Sequence, residues 1–172
     1  SYDFTRMPNG YKVIANIPYY LTSHLIRSMS ETSNQPDIAV LLIQKEVAER
    51  VAAEPGQMGI LSVTAQFYFD CSLDIEVGAE YFTPPPKVDS QVLVLRRREL
   101  KLFDVDDQSF FRLVKAGFSE KRKTMRNSLS GGLGIGKDEA EALLAKAGLL
   151  VTTRAQELSL DQWHELYLCY EA

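Results

Sequence analysis

Cysteine and histidine are scarce. Two of each occur among 172 residues, and Cys71, Cys169, His24 and His164 are too few and too isolated to form a disulfide framework or a four-ligand zinc site, so no metal centre is expected. Both cysteines read as core or near-surface thiols. Long hydrophobic runs are also lacking. No apolar stretch approaches the roughly 20 residues that cross a bilayer. The opening SYDFTRMPNG has neither the charged nor the apolar region of a secretory signal, which makes a cytoplasmic protein the expectation. Bulk positive charge is absent too: a net charge of −4 and a pI near 5.3 argue against a protein that coats nucleic acid. No internal repeat is found. What remains, 45% hydrophobic and 24% charged residues, is the composition of a folded domain with a core.

Charge is nevertheless segregated. KAGFSEKRKTMR, residues 115–126, sets Lys115, Lys121, Arg122, Lys123 and Arg126 against Glu120 alone, and Arg96, Arg97 and Arg98 form a second cluster. A local positive face on an acidic molecule steers a phosphate backbone, although a solvated helix face has the same pattern.

Texture divides the chain in two. YKVIAN and IAVLLIQ are short continuous apolar runs, the pattern of strands covered on both faces in a parallel sheet. Between them TSHLIRSMSE predicts a helix with Thr22 or Ser23 as N-cap and Leu25, Ile26 and Met29 on one face. KEVAERVAAE predicts another helix, stopped by Pro55-Gly56, and GILSVTAQFYF a buried helix or strand. CSLDIEVG and SQVLVLRRR, either side of AEYFTPPPKVD, alternate like paired edge strands. After Arg98, DDQSFFRLVKAGFS, KRKTMRNSLS, KDEAEALLAKAG and SLDQWHELYLCYEA are amphipathic and helical. The expectation is an α/β unit over 1–98 and a small all-helical domain over 99–172. GGLGIGKD satisfies G-x-x-x-x-G-K, yet Asp138 stands where Ser or Thr would hold magnesium and no strand precedes it. It reads as a flexible connection between helices.

NIPYY, residues 16–20, ends the first apolar run with an amide, a proline and two rings, where a buried strand end ordinarily carries Val, Ile or Leu. Ligands of open α/β sheets bind beyond the carboxyl ends of strands, where these residues fall. They suit an adenine amino group. Its nitrogen is a poor nucleophile because the lone pair is delocalised into the ring; acceptors on both N–H hydrogens return electron density and stabilise the positive charge that develops as a methyl group arrives. Asn16 offers a side-chain oxygen, Ile17 a carbonyl aimed by the fixed φ of Pro18, and Tyr19 a face for the ring.

N-[ILP]-P-[YF] at a strand end resembles the motif of class I, S-adenosylmethionine-dependent adenine-N6 methyltransferases. QKEVAERV from Gln44, FTPPPKVDS from Phe82, and Lys121-Arg122-Lys123-Thr124-Met125-Arg126-Asn127-Ser128-Leu129 follow in the order and spacing of the KsgA family of small-subunit ribosomal RNA adenine dimethyltransferases. The likeness runs from about Lys12 to the C-terminus. It implies the C-terminal half of a Rossmann-like sheet, S-adenosylmethionine as methyl donor, and dimethylation of adenosine N6 in small-subunit rRNA during ribosome biogenesis. The implied partners are that rRNA and the immature small subunit. Residue by residue, Asn16, Ile17, Pro18 and Tyr19 match the catalytic motif, with Asn16 also beside the cofactor. Phe82 matches the aromatic covering the other face of the adenine, on a loop stiffened by Pro84, Pro85 and Pro86. Lys87, Lys115, Lys121, Arg122, Lys123 and Arg126 match positions that meet rRNA phosphates, and Asn127 a capping or contact residue. Lys121 is Arg in much of the family, which keeps the charge but not the planar fork.

The family's Gly-rich loop after its first strand, and the acidic residues after its second and near its third, have no counterpart here. The resemblance therefore implies a chain lacking the N-terminal part of the catalytic domain, which binds S-adenosylmethionine poorly and is inactive alone. In the family the first strand pairs with the fourth. Residues 11–16 should then present an open edge, covered by another copy of the chain or by displaced local segments. Two other readings stand beside this one: a macrolide-resistance methyltransferase of large-subunit rRNA, and a non-catalytic RNA-binding or ribosome-assembly module.

Overall fold

A computed structural model of the chain describes residues 3–172; the side chain of Tyr19 lies outside the described residues. Two compact units emerge, one of residues 1–52 and 61–102, the other of residues 53–60 and 103–172. A single cut after residue 98 misses the excursion at 53–60, whose ties to the helical unit carry no local sequence signal.

In the first unit β1 (Lys12–Asn16) leads through a 3₁₀ turn to α1 (Thr22–Glu31) and back to β2 (Ile38–Gln44), parallel to β1. Then come α2 (Lys45–Val51), α3 (Ile60–Tyr68), β3 (Phe69–Val77) and β4 (Ser90–Arg97). The sheet order is β1-β2-β4-β3, with β4 antiparallel to both neighbours. So β4 is an interior strand, not the edge strand its alternation suggested, and β3 alone of that pair lies at the edge. GILSVTAQFYF resolves into a helix that runs straight into β3.

One face of the sheet carries the core. Ala39, Leu41 and Ile43 of β2 and Leu93 and Leu95 of β4 are fully buried, packed with Phe69, Ile26 and Met29 of α1, Ala48 and Val51 of α2 and Ala65 of α3. Burial of each large side chain contributes about 1.5–3 kcal/mol. The expectation of cover on both faces fails for β1: Val13 and Ala15 are half-buried while Ile14 is 84% exposed. No strand among the described residues pairs with its outer edge. The edge is short, which limits its appetite for partners. The N-cap expectation also fails. Leu21 occupies that position without a side-chain bond, Thr22 is already helical, and its buried Oγ1 has no partner.

Cys71 of β3 is mostly enclosed, its Sγ 3.6 Å from the Phe69 carbonyl. Burial pushes its thiol up to about 12 from the ordinary 9.0, the Arg98 charge opposing and Asp70 reinforcing.

The second unit holds α4 (Asp107–Gly117), α5 (Met125–Leu133), α6 (Lys137–Lys146) and α7 (Leu160–Glu171) around Phe110, Leu113, Met125, Leu129, Leu144 and Trp163. Asp106 caps α4 by accepting Ser109 N–H at 2.7 Å, and Ser159 with Gln162 forms a capping box on α7. KRKTMRNSLS is helical only from Met125. Thr124 has extended backbone as the N-cap, and Lys121 to Lys123 form the preceding turn. In GGLGIGKD, Gly131 and Gly132 belong to α5, Gly134 ends it at φ 72°, and Gly136 precedes α6. It is a helix connection with no strand before it. Gly132 is there for close packing: a Cβ on it would stand 2.6 Å from Ala116 Cα. Residues 53–60 are clamped to this unit by Gln156, whose carbonyl accepts both Gly56 N–H (2.8 Å) and Met58 N–H (3.3 Å).

Three outcomes follow. Gly132→Ala forces α5 away from α4 and should lower stability by about 1–3 kcal/mol in urea titrations, against no change if the helices are loosely apposed. Cys71 should resist iodoacetamide at about pH 8 in the folded chain and react on unfolding. Because its folded pKa is raised, its stabilising contribution is complete below pH 9.0 and falls as pH climbs toward about 12. Cys71→Ala should show a shallower alkaline loss of stability than the parent.

Candidate active site

The register around β2 decides what meets at the site. Asn16, last in β1, is opposite Leu42; Ser90, first in β4, is opposite Gln44; and Val77, last in β3, is opposite Ser90. The carboxyl ends of β1, β2 and β3 and the start of β4 therefore share one end of the sheet, and the loop from Gly78 to Asp89 hangs there.

That loop is tied down at its base. Asp89 Oδ1 accepts the Ala79 N–H at 3.0 Å, and the Asp89 carbonyl accepts the Lys45 N–H at 3.0 Å. Lys45 Nζ reaches Glu76 Oε1 at 2.7 Å, and this hydrogen bond raises the lysine pKa. Residues 79–81 form a 3₁₀ turn closed by Phe82 N–H on the Ala79 carbonyl, after which Phe82 is extended and the Thr83–Pro84 peptide is cis. Across from it, Pro18 follows the strand end, and its carbonyl accepts Leu21 N–H at 3.0 Å to close the turn into α1.

Asn16, Ile17 and Pro18 line one open cleft of about 320 Å³ with Phe82, Pro84, Pro86 and Ser90. Four of the five residues singled out as catalytic thus share a cavity. The fifth, Tyr19, has its side chain outside the described residues. Ser90 went unnoticed in the sequence; the only signal was its place at the end of FTPPPKVDS. The volume of the cleft is at the low end of the range for small-ligand sites.

The basic candidates separate by environment. Lys87 is exposed on the proline loop. In the helical unit Lys115 is exposed on α4, and Lys121, Arg122 and Lys123 project from the turn before α5. Arg126 is partly engaged instead: its Nε lies 3.0 Å from Glu141 Oε2, too misaligned for a hydrogen bond, and a second nitrogen lies 3.8 Å from Asp138. Asn127 turns back to its own helix start, donating to Thr124 Oγ1 at 3.3 Å. Of the second cluster, Arg97 pairs with Asp37 at 2.5 Å and Arg98 with Asp70 at 2.5 Å, so those two arginines tie the end of β4 to the starts of β2 and β3 and are not a free positive face.

A family model described as ribosomal RNA adenine dimethylase matches residues 2–172. The chain belongs to this family. It is 40% identical over 161 residues to the ribosomal RNA small subunit methyltransferase A of Dehalococcoides mccartyi, an alignment covering 93% of this chain and 55% of that protein. The protein of the same name from Trichormus variabilis is 41% identical over 170 residues, with 95% and 62% covered. The chain spans about half the length of the curated relatives it matches. Among solved structures its fold is similar to a dimethyladenosine transferase from Plasmodium falciparum (TM-score 0.79, 23% identity, 96% of this chain and 68% of that one). The 23S rRNA methyltransferase ErmE has TM-score 0.74 at 24% identity, over 99% and 70%. In keeping with this family its strands form part of a Rossmann-like sheet, and no helix among the described residues is long and apolar enough to cross a membrane.

The loop anchor is testable apart from activity. Asp89→Ala removes the acceptor for Ala79 N–H and should cost about 0.5–1.5 kcal/mol of stability. Amide exchange should quicken at residues 79–82 and stay unchanged in α1; uniform exchange across the unit would contradict the anchor.

Proposed function

We propose that, in a protein of its relatives' full length, this chain holds an adenine of small-subunit ribosomal RNA for dimethylation of its N6, with S-adenosylmethionine as methyl donor. The observation that carries this reading is the single cleft shared by Asn16, Ile17, Pro18 and Phe82 in a chain of the rRNA adenine dimethylase family.

The donor's site is only partly supplied here. Asn16 lines the cleft and is its one candidate contact; no G-x-G-x-x-G follows a strand in this sequence. The residues present do not amount to a complete S-adenosylmethionine site, so this chain alone should be inactive. Its own residues act on the base. The Asn16 side-chain oxygen and the Ile17 carbonyl accept the two N6–H hydrogens, which localises the nitrogen lone pair and stabilises the positive charge of the transition state. Neither group has to remove a proton beforehand, because the amine becomes acidic only after transfer. Phe82 covers one face of the ring and the motif assigns Tyr19 to the other, so the adenine has to leave its stack to enter. Lys87, Lys115, Lys121, Arg122 and Lys123 take phosphates and set register without reading sequence. Arg126 contributes less, being shared with Glu141.

Methyl transfer to immature small subunits and to large-subunit rRNA, measured with a protein of full family length, tests the substrate class. Small-subunit RNA should be the acceptor; methylation of large-subunit RNA alone would favour the macrolide-resistance reading, and no methylation at all an assembly module. Asn16→Ala should lower kcat by about 10²–10³-fold. Phe82→Ala should weaken productive binding by about 1–3 kcal/mol, the worth of one stacked base, and raise KM more than it lowers kcat. Activity within twofold of the parent for Asn16→Ala would remove the catalytic assignment.

A further inference from the structure

The helical unit contains a second cavity, of about 240 Å³, which the reaction does not use. Met58, Ile60, Phe118 and Ala155 give it apolar walls, and Lys121, Lys123 and Arg154 line it against one carboxylate, Glu120. None of these three cations forms an ion pair among the described residues. Its walls are fixed. Phe118 stacks on fully buried Trp163 (centroids 5.6 Å apart, planes at 29°), the Gln156 carbonyl clamps residues 56 and 58, and Lys123 N–H on the Glu120 carbonyl at 3.0 Å closes the basic turn.

A small apolar chamber with an aromatic wall and an unpaired cationic lining complements a ligand that is flat and apolar at one end and anionic at the other. An unstacked nucleotide is such a ligand, its base against Phe118 and its flanking phosphates on Lys121, Lys123 and Arg154. We propose that this cavity captures one extruded nucleotide of the bound RNA, separate from the methylated base. The inference rests on the reading of the Lys121–Lys123 turn as facing RNA, and it adds Arg154 and the chamber to that surface. Cation contacts alone would hold RNA in any register; a base in a pocket fixes one.

Gly59 supplies the test. It lines the cavity, a Cβ on it meets nothing within 4 Å, and its φ is not left-handed, so a larger side chain is accommodated at the chamber's wall without backbone strain. Binding of a short fluorescein-labelled single-stranded RNA to the whole chain is followed by anisotropy at several salt concentrations. Gly59→Leu should weaken binding about tenfold with the salt slope unchanged, whereas Lys121→Gln with Lys123→Gln should flatten the slope. Should Gly59→Leu fold poorly, the parent chain with the same RNA made abasic at alternate positions should show the same tenfold loss at constant slope. Equal binding by a folded Gly59→Leu chain, or by the abasic RNA, overturns the proposal while leaving the RNA surface standing. Displacement of the RNA by polyglutamate at equal charge overturns it in favour of an acidic protein. No salt-dependent RNA binding at all overturns both it and the RNA reading beneath it.

Discussion

Everything at the cleft depends on β2. It is paired on both sides, parallel to β1 and antiparallel to β4, and its register fixes where both neighbours stop or start. Asn16 arrives at the carboxyl end of β2 from one side and Ser90 departs from it on the other. Slipping either pairing by one residue would exchange the faces of every side chain in that strand. The burial of Ala39, Leu41, Ile43, Leu93 and Leu95 resists such a slip, because these five lie on one face and a shift would expose them together. The position of a polar side chain at the cleft is thereby set by apolar packing some distance from it.

The chemistry proposed for that cleft is modest in strength and demanding in position. An amide oxygen and a main-chain carbonyl are weak bases, and weak bases suffice when the proton leaves after the new bond forms. What they must do is point at two hydrogens on one nitrogen. A rigid surround provides this: Pro18 fixes its own φ, the Pro18 carbonyl is engaged by Leu21, and Asp89 with Lys45 pins the loop that carries Phe82. The helical unit serves a different need. Its cations sit on a turn between two helices packed closely through Gly132, so that flexible side chains are mounted on a stiff frame.

Legibility in the sequence followed locality. The β1-α1-β2 unit was readable because apolar runs bracket one amphipathic helix, and the helices beyond Asp106 because Asp106 and Ser159 cap within their own turns. NIPYY and FTPPPKVDS stood out because each motif is contiguous. Their meeting in one cleft was not readable from composition or periodicity, since it comes from strand register across tens of residues. Distant pairing also misled. Arg97 and Arg98 looked like a phosphate-binding run, but Asp37, sixty positions away, and Asp70 take them up. Arg126 is drawn toward α6 by Glu141 in the same fashion. Thr22 looked like a helix cap, and the 3₁₀ turn that precedes α1 moved the cap to Leu21. Ser90 had only its place at the end of FTPPPKVDS for a signal, and the Gln156 clamp had none.

The grip on the amino group is the central claim, and a coupling measurement reaches it most directly. A protein of full family length would be titrated with small-subunit rRNA carrying either adenine or unsubstituted purine at the target position, in the parent and in Asn16→Ala. The parent should prefer adenine, and Asn16→Ala should lose about 1 kcal/mol of that preference, the worth of one hydrogen bond isolated by the cycle. An adenine preference undiminished in Asn16→Ala would mean that the Asn16 oxygen does not hold the amine, and the account of the cleft would fail.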